Sequence, residues 1–144
     1  YKSLVRFEGH CDRKQHYEMS VPGIALNKSV YTPVGTGGPD MTPVDKTYVN
    51  ISYNFMTPVD ENNTQYIWFQ HRNTDPNDAA ISKQMNDGAI MAFNEDKEVL
   101  EAVHKGMAEM KTPNIDLGLD LGAKVFRRKL QMMIDDEQKD GVAA

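Results

Sequence analysis

Residues 64–110, TQYIWFQHRNTDPNDAAISKQMNDGAIMAFNEDKEVLEAVHKGMAEM, change their hydrophobic period halfway along, and that change decides the fold. From Thr64 to Arg72 the residues are largely β-branched and aromatic, with Tyr66 and Trp68 alternating with Ile67 and Phe69, as in a strand with two apolar faces. Asp75-Pro76-Asn77-Asp78 then reads as a helix start, with Asp75 or Asn77 as the cap, and no proline follows before Met110. Apolar residues now step by three and four through Ile81, Met85, Ala89, Ala92, Val99, Val103 and Met107, the stripe that a helix turns toward a core. Gly88 and Gly106 are the places where this helix could bend or break.

Upstream, Lys46–Met56 is a second β-rich run, and Pro58, Asp60, Asn62 and Asn63 supply turn chemistry, so the two runs are expected to form an antiparallel hairpin. Shorter strands are predicted at Leu4–Phe7, His16–Val21 and Ile24–Tyr31, with Pro22-Gly23 between the last two. Thr32–Asp45 is crowded with glycine and proline and reads as a surface loop. Downstream, Thr112-Pro113-Asn114 should end the long helix, and Asp120 can cap a last helix to about Glu137 with Phe126, Leu130, Met133 and Ile134 on one face. Strands followed by helices make an α+β chain.

The 144 residues are one domain's worth, and 40% apolar with 26% charged residues is the ordinary globular range. A net charge of −5 argues against a phosphate-neutralising surface, so nucleic acid is not an expected partner; the basic run Arg127, Arg128, Lys129 reads as a solvated helix face. No stretch approaches the roughly 20 apolar residues of a membrane span, and Cys11 stands alone, which fits a reducing, cytoplasmic compartment. The start at Tyr1, without methionine, reads as that of a fragment.

One position breaks the apolar stripe. Between Ala92 and Val99 the inward position is Asp96, where leucine or valine would be expected. A buried carboxylate is costly unless paired, hydrogen-bonded or bound to a cation. A core salt bridge and a metal ligand are both open readings on these grounds.

The segment Phe93-Asn94-Glu95-Asp96-Lys97-Glu98-Val99-Leu100-Glu101-Ala102 resembles the Glu-Asp-Lys-x-x-Leu-Glu-Ala motif in the catalytic domains of Rieske-type mononuclear iron oxygenases of the vanillate O-demethylase kind. Met56-Thr57-Pro58-Val59-Asp60, Thr64-Gln65-Tyr66-Ile67-Trp68-Phe69 and Arg72-Asn73 are similar to that family's Leu-Thr-Pro-Glu, Thr-x-Tyr-Phe-Trp and Arg-Asn-Phe series, and 120–128 to its closing Asp-Ala-Gly-x-x-x-x-Arg-Arg helix. The resemblance implies that residues 1–144 are the C-terminal portion of the catalytic, mononuclear iron domain, with the Rieske domain outside this chain. The implied fold is a helix-grip domain, START- or Bet v 1-like, incomplete here, in which an antiparallel sheet wraps the long helix.

The resemblance further implies a mononuclear Fe(II) held by two histidines and one carboxylate, with Asp96 as that carboxylate and catalytic ligand. NAD(P)H would feed electrons through a reductase or ferredoxin to a [2Fe-2S] Rieske cluster and on to the iron of a homotrimer. Such an enzyme hydroxylates or O-demethylates an aromatic substrate; O-demethylation passes through a hemiacetal to a phenol and formaldehyde. The family's histidine ligands lie upstream of the aligned motifs. His10 and His16 fall on a loop and a strand outside any motif, His71 reads as a strand residue packed beside Arg72, and His104 as a solvated helix residue. Where relatives place a substrate-contacting histidine just before Leu-Thr-Pro, this chain has Asn54, which still suits a polar aromatic but makes vanillate itself doubtful. Trp68 is a candidate pocket wall, and Met85 and Met91 are core candidates. The alternative is a helix-grip module that binds an apolar small molecule without iron, with Asp96 paired to a buried cation or hydroxyl. No nucleophile elbow or metal-histidine pair supports a hydrolase.

Overall fold

The structure, a computed structural model, describes residues 4–38, 40, 43–110, 115 and 117–142. It is α+β. Four strands form one antiparallel sheet in chain order: β1 (Cys11–Ser20), β2 (Ile24–Pro33), β3 (Tyr48–Pro58) and β4 (Thr64–Arg72). Two helices follow, α1 (Ala79–Glu109) and α2 (Leu121–Val142). These are the elements of a helix-grip fold. The sheet and α2 belong to one compact unit and α1 to another.

β2 and β3 are the central strands, and within the sheet burial is deepest on β2, at Tyr31 and at Thr32, the latter at 0% exposure. β1 is exposed along Arg13–Ser20, and its charged residues suit an edge strand, because charge discourages edge-to-edge association. The β3–β4 hairpin is closed by Asp60. Its carboxylate accepts the backbone N–H groups of Asn62 and Asn63, each at 2.8 Å, and the Asn63 side-chain amide. At the other end of the hairpin, the Asn73 carboxamide accepts from Val49 N at 2.7 Å and donates to Thr47 O at 2.8 Å, fastening the exit of β4 to the start of β3.

Several expectations are corrected. Leu4–Phe7 is not a strand; β1 begins five residues before His16, at Cys11. Thr32 and Pro33 continue β2 instead of opening a loop, since Thr32 pairs with Asp12 and Pro33 with Cys11 across the ladder. The turn comes next, where Gly35, Gly37 and Gly38 all adopt positive φ and the Gly35 N–H is held by the Asp12 carboxylate at 3.0 Å. The cap of α1 is Asp78, whose carboxylate accepts from Ala80 and Ile81 at 2.8 and 3.1 Å. Asp75 instead takes φ 38° and accepts the Asp78 N–H through its carbonyl. α1 runs unbroken through Gly88 and Gly106, and α2 extends to Val142, five residues past Glu137. Thr112-Pro113-Asn114 lies outside the described residues.

The α1 stripe is only half covered. Ala89 is buried and Ile81, Met85 and Phe93 half-buried, whereas Ala92 is exposed, as are Val99, Leu100, Val103 and Met107 at 50–66%. Met91 is exposed as well, so it is not a core residue of this chain. On α2, Phe126 and Leu130 are half-buried, while Met133 and Ile134 are exposed. Arg127, Arg128 and Lys129 are exposed, as the sequence predicts.

Two predictions follow from the hairpins. At the β1–β2 turn, Gly23 O accepts the Met56 N–H at 2.8 Å, and a Cβ on Gly23 would stand 2.2 Å from Met56 O. Gly23→Ala should therefore destabilise the protein by about 1–3 kcal/mol, the usual scale of an overpacked site; an unchanged urea midpoint would show that the turn does not approach β3 in this way. At the β3–β4 turn, hydrogen bonds from the Asn62 backbone and the Asn63 side chain hold the Asp60 carboxyl below the ordinary aspartate value. Its contribution to stability is full above that ordinary value and is lost as the pH falls through the depressed folded value. A carboxyl-carbon NMR titration of Asp60 should place its midpoint below that of an aspartate in the unfolded chain, and a midpoint at or above it would contradict the turn geometry.

Candidate functional site

Antiparallel partners share a face, so the register sorts the sheet's side chains into two sets. One face carries Ile24 and Leu26 on β2, Ile51, Tyr53 and Phe55 on β3, and Ile67, Phe69 and His71 on β4. Its rings form a cluster: Phe69 stacks on Tyr53 and Phe55 at 5.0 and 5.5 Å, and His71 sits edge-on to Phe69 and Tyr53 at 5.2 and 5.7 Å. His71 is a strand residue, as expected, but it lies among aromatic rings and not beside Arg72, which alternation turns to the other face, and its side chain is exposed.

The opposite face is polar. From β2 to β4 it presents Ala25, Asn54 and Trp68 in one row, Asn27, Ser52 and Gln70 in the next, and Ser29, Asn50 and Arg72 beyond. The two substrate-side candidates, Asn54 and Trp68, are therefore direct cross-strand partners, both half-buried. The Asn54 amide is already oriented: its Oδ1 accepts from the Tyr66 hydroxyl and its Nδ2 donates to Ala25 O at 3.4 Å. The sequence reading put Tyr66 on the same face as Trp68 without singling it out as a site residue; its hydroxyl is what orients Asn54. Among the other residues of the face, Arg72 donates from Nε to Thr74 O at 2.8 Å.

Asp96 lies on α1, in the other compact unit. Seven residues from Ala89, it falls on the same side of the helix, as the periodicity predicts. In contrast to the expectation of a buried carboxylate, its side chain is exposed, because this half of the stripe is uncovered. No hydrogen bond or ion pair engages it among the described residues, whereas neighbouring Lys97 pairs with Glu101 at 3.7 Å. The core salt bridge that would compensate a buried aspartate is thus not formed.

A facial iron site needs two histidines besides a carboxylate. Among the described residues no three His, Cys, Asp or Glu side chains gather closely enough to hold a metal. His10 precedes β1; His16 is on β1, exposed, 3.5 Å from Glu18; His104 is exposed on α1. The described residues thus bring together no complete metal site. No helix among the described residues is long and apolar enough to cross a membrane.

Comparison with known proteins places this geometry. The family described as the vanillate O-demethylase oxygenase C-terminal domain matches residues 1–136. The toluene-4-sulfonate monooxygenase system iron-sulfur subunit of Comamonas testosteroni is 29% identical over 138 residues, covering 95% of this chain and 40% of that protein. The vanillate O-demethylase oxygenase subunit of a Pseudomonas species is 27% identical over 128 residues, covering 88% and 39%. The chain thus spans about two fifths of the length of the curated relatives it matches. No solved structure matches it significantly. The match over nearly the whole chain makes it a member of the vanillate O-demethylase oxygenase C-terminal domain family.

Proposed function

We propose that this chain is the C-terminal portion of the catalytic domain of a Rieske-type oxygenase component, in which Asp96 is the carboxylate ligand of a mononuclear iron and the Asn54–Trp68 face receives an aromatic substrate. The observation that carries the reading is the state of Asp96. It lies within the matched segment, on the helix face shared with Ala89, and it is exposed and unpaired among the described residues.

Iron, when bound, would supply dioxygen activation for hydroxylation or O-demethylation. The chain's own residues do the rest. Trp68 offers a flat apolar surface for a ring, and Asn54, braced by Tyr66 and Ala25, keeps a carboxamide at a fixed place beside it. Asp96 contributes a hard oxygen donor and one negative charge toward balancing the metal. Two histidines, the [2Fe-2S] cluster and the entry of NAD(P)H electrons through a reductase or ferredoxin would come from outside this chain, in a cytoplasmic homotrimer. By itself the chain is not expected to turn over.

The test is elemental analysis of iron in the intact protein, wild type against Asp96→Ala. Circular dichroism of both proteins, recorded in parallel, separates loss of iron from loss of the fold. Mononuclear iron beyond that of the cluster should be present in the wild type and absent from the variant; equal iron in both would remove Asp96 as a ligand.

A further inference from the structure

The sheet is turned inside out. An antiparallel sheet with one wet face normally puts its polar side chains there, yet here Ser29 and Ser52 on the polar face are 6% and 8% exposed, whereas Ile24, Phe69 and Ile67 on the aromatic face are 39%, 41% and 50% exposed. A contiguous open patch of rings and aliphatic side chains marks an interaction site. The register gives this one a size: it runs in three rows across β2, β3 and β4, from Ile24, Phe55 and Ile67 at one end to Lys28, Ile51 and His71 at the other, with the Tyr53–Phe69 stack between them. Three strands span ~10 Å and three same-face rows ~14 Å at the usual spacings. That is the footprint of about two to three turns of one α-helix, and well short of the ~800 Å² that each partner gives to a stable interface between globular surfaces.

α2 carries the complement. Phe126, Leu130, Met133 and Ile134 make a stripe at helical spacing, the first two half-buried and the last two 45% and 38% exposed. Glu137, exposed, continues the same stripe one turn on. With Phe126 set near the Ile24 row, the helical rise carries Glu137 ~16 Å further along, to the end where Lys28 and His71 stand and where His16 of β1 pairs with Lys28. Apolar residues then meet the aromatic cluster, and the one acid of the stripe meets the basic end of the patch. The sheet and α2 belong to one compact unit, yet the chain's own described residues close neither surface. We propose that α2 of one copy of this chain docks on the aromatic sheet face of the next copy, with Glu137 against Lys28. Such a contact joins two different surfaces, and a contact of that kind closes a ring when the rotation between copies allows it. It deepens the proposed homotrimer and rests on that reading only for the number of copies.

The test is photo-cross-linking of the intact protein with p-benzoylphenylalanine in place of Ile67, followed by mass-spectrometric mapping of the joined peptides. Cross-links to α2 in a species of twice the chain mass are expected. Cross-links to α2 in a species of single mass would overturn the proposal, because the helix would then lie on its own sheet; a cross-link to any other segment, or none, would overturn it as well. Charge reversal checks the placement of Glu137. In sedimentation of the intact protein, Glu137→Lys should raise the concentration at which the assembly half-dissociates by about fivefold, and adding Lys28→Glu should restore it. An unchanged midpoint in the single variant, or no rescue in the double one, would contradict the docking. These measurements do not depend on iron: cross-linked α2 together with iron retained in Asp96→Ala would overturn the iron-ligand reading alone, and iron lost in Asp96→Ala with α2 not cross-linked would overturn the contact alone.

Discussion

The carboxamide of Asn73 is the fastening on which the arrangement of the sheet depends. By accepting from Val49 and donating to Thr47 it holds the exit of β4 against the entry of β3, while the Asp60 turn closes the far end. With both ends of the hairpin tied, a slip by one residue is opposed at two places, and such a slip would send every side chain to the opposite face. The sorting of the sheet into an aromatic face and a polar face follows from that register, as does the adjacency of Asn54 and Trp68. Arg72-Asn73, quoted first as part of a family motif, thus has a mechanical meaning in this chain.

Local signals were legible in the sequence, and distant packing was not. β4 begins and ends where its alternation does, and α1 ends within a residue of the expected limit, because a period of 3.6 over thirty residues leaves little ambiguity. The cap was misplaced among four adjacent turn-formers, where only the backbone conformation tells Asp78 from Asp75. Thr32 was assigned to a loop because the glycines that follow it dominate any window; its own β-branched side chain and its partner Asp12 keep it in the strand. Periodicity likewise identified the face of α1 that carries Asp96, but whether that face is covered depends on residues far away in sequence. The alternation Leu26-Asn27-Lys28-Ser29-Val30 did contain the polar rows of β2, and pairing them with Asn50 and Ser52 required the register.

Membership in an oxygenase C-terminal domain family gives these parts a common sense. The helix contributes a carboxylate on an apolar stripe, and the sheet contributes a face whose amides and indole are arranged by cross-strand pairing. The α1 stripe is buried at Ala89 and open from Val99 to Met107. On the function proposed above, the remaining ligands and the electron supply would belong to the intact protein.

The register of β3 against β4 can be tested most directly by nuclear Overhauser spectroscopy on isotopically labelled protein, reading contacts from the Asn54 side-chain amide. The structure requires contacts from that amide to the Trp68 indole and the Tyr66 ring. Contacts to Ile67 or Phe69 in their place would mean a register shifted by one residue, and the polar face described here would not exist.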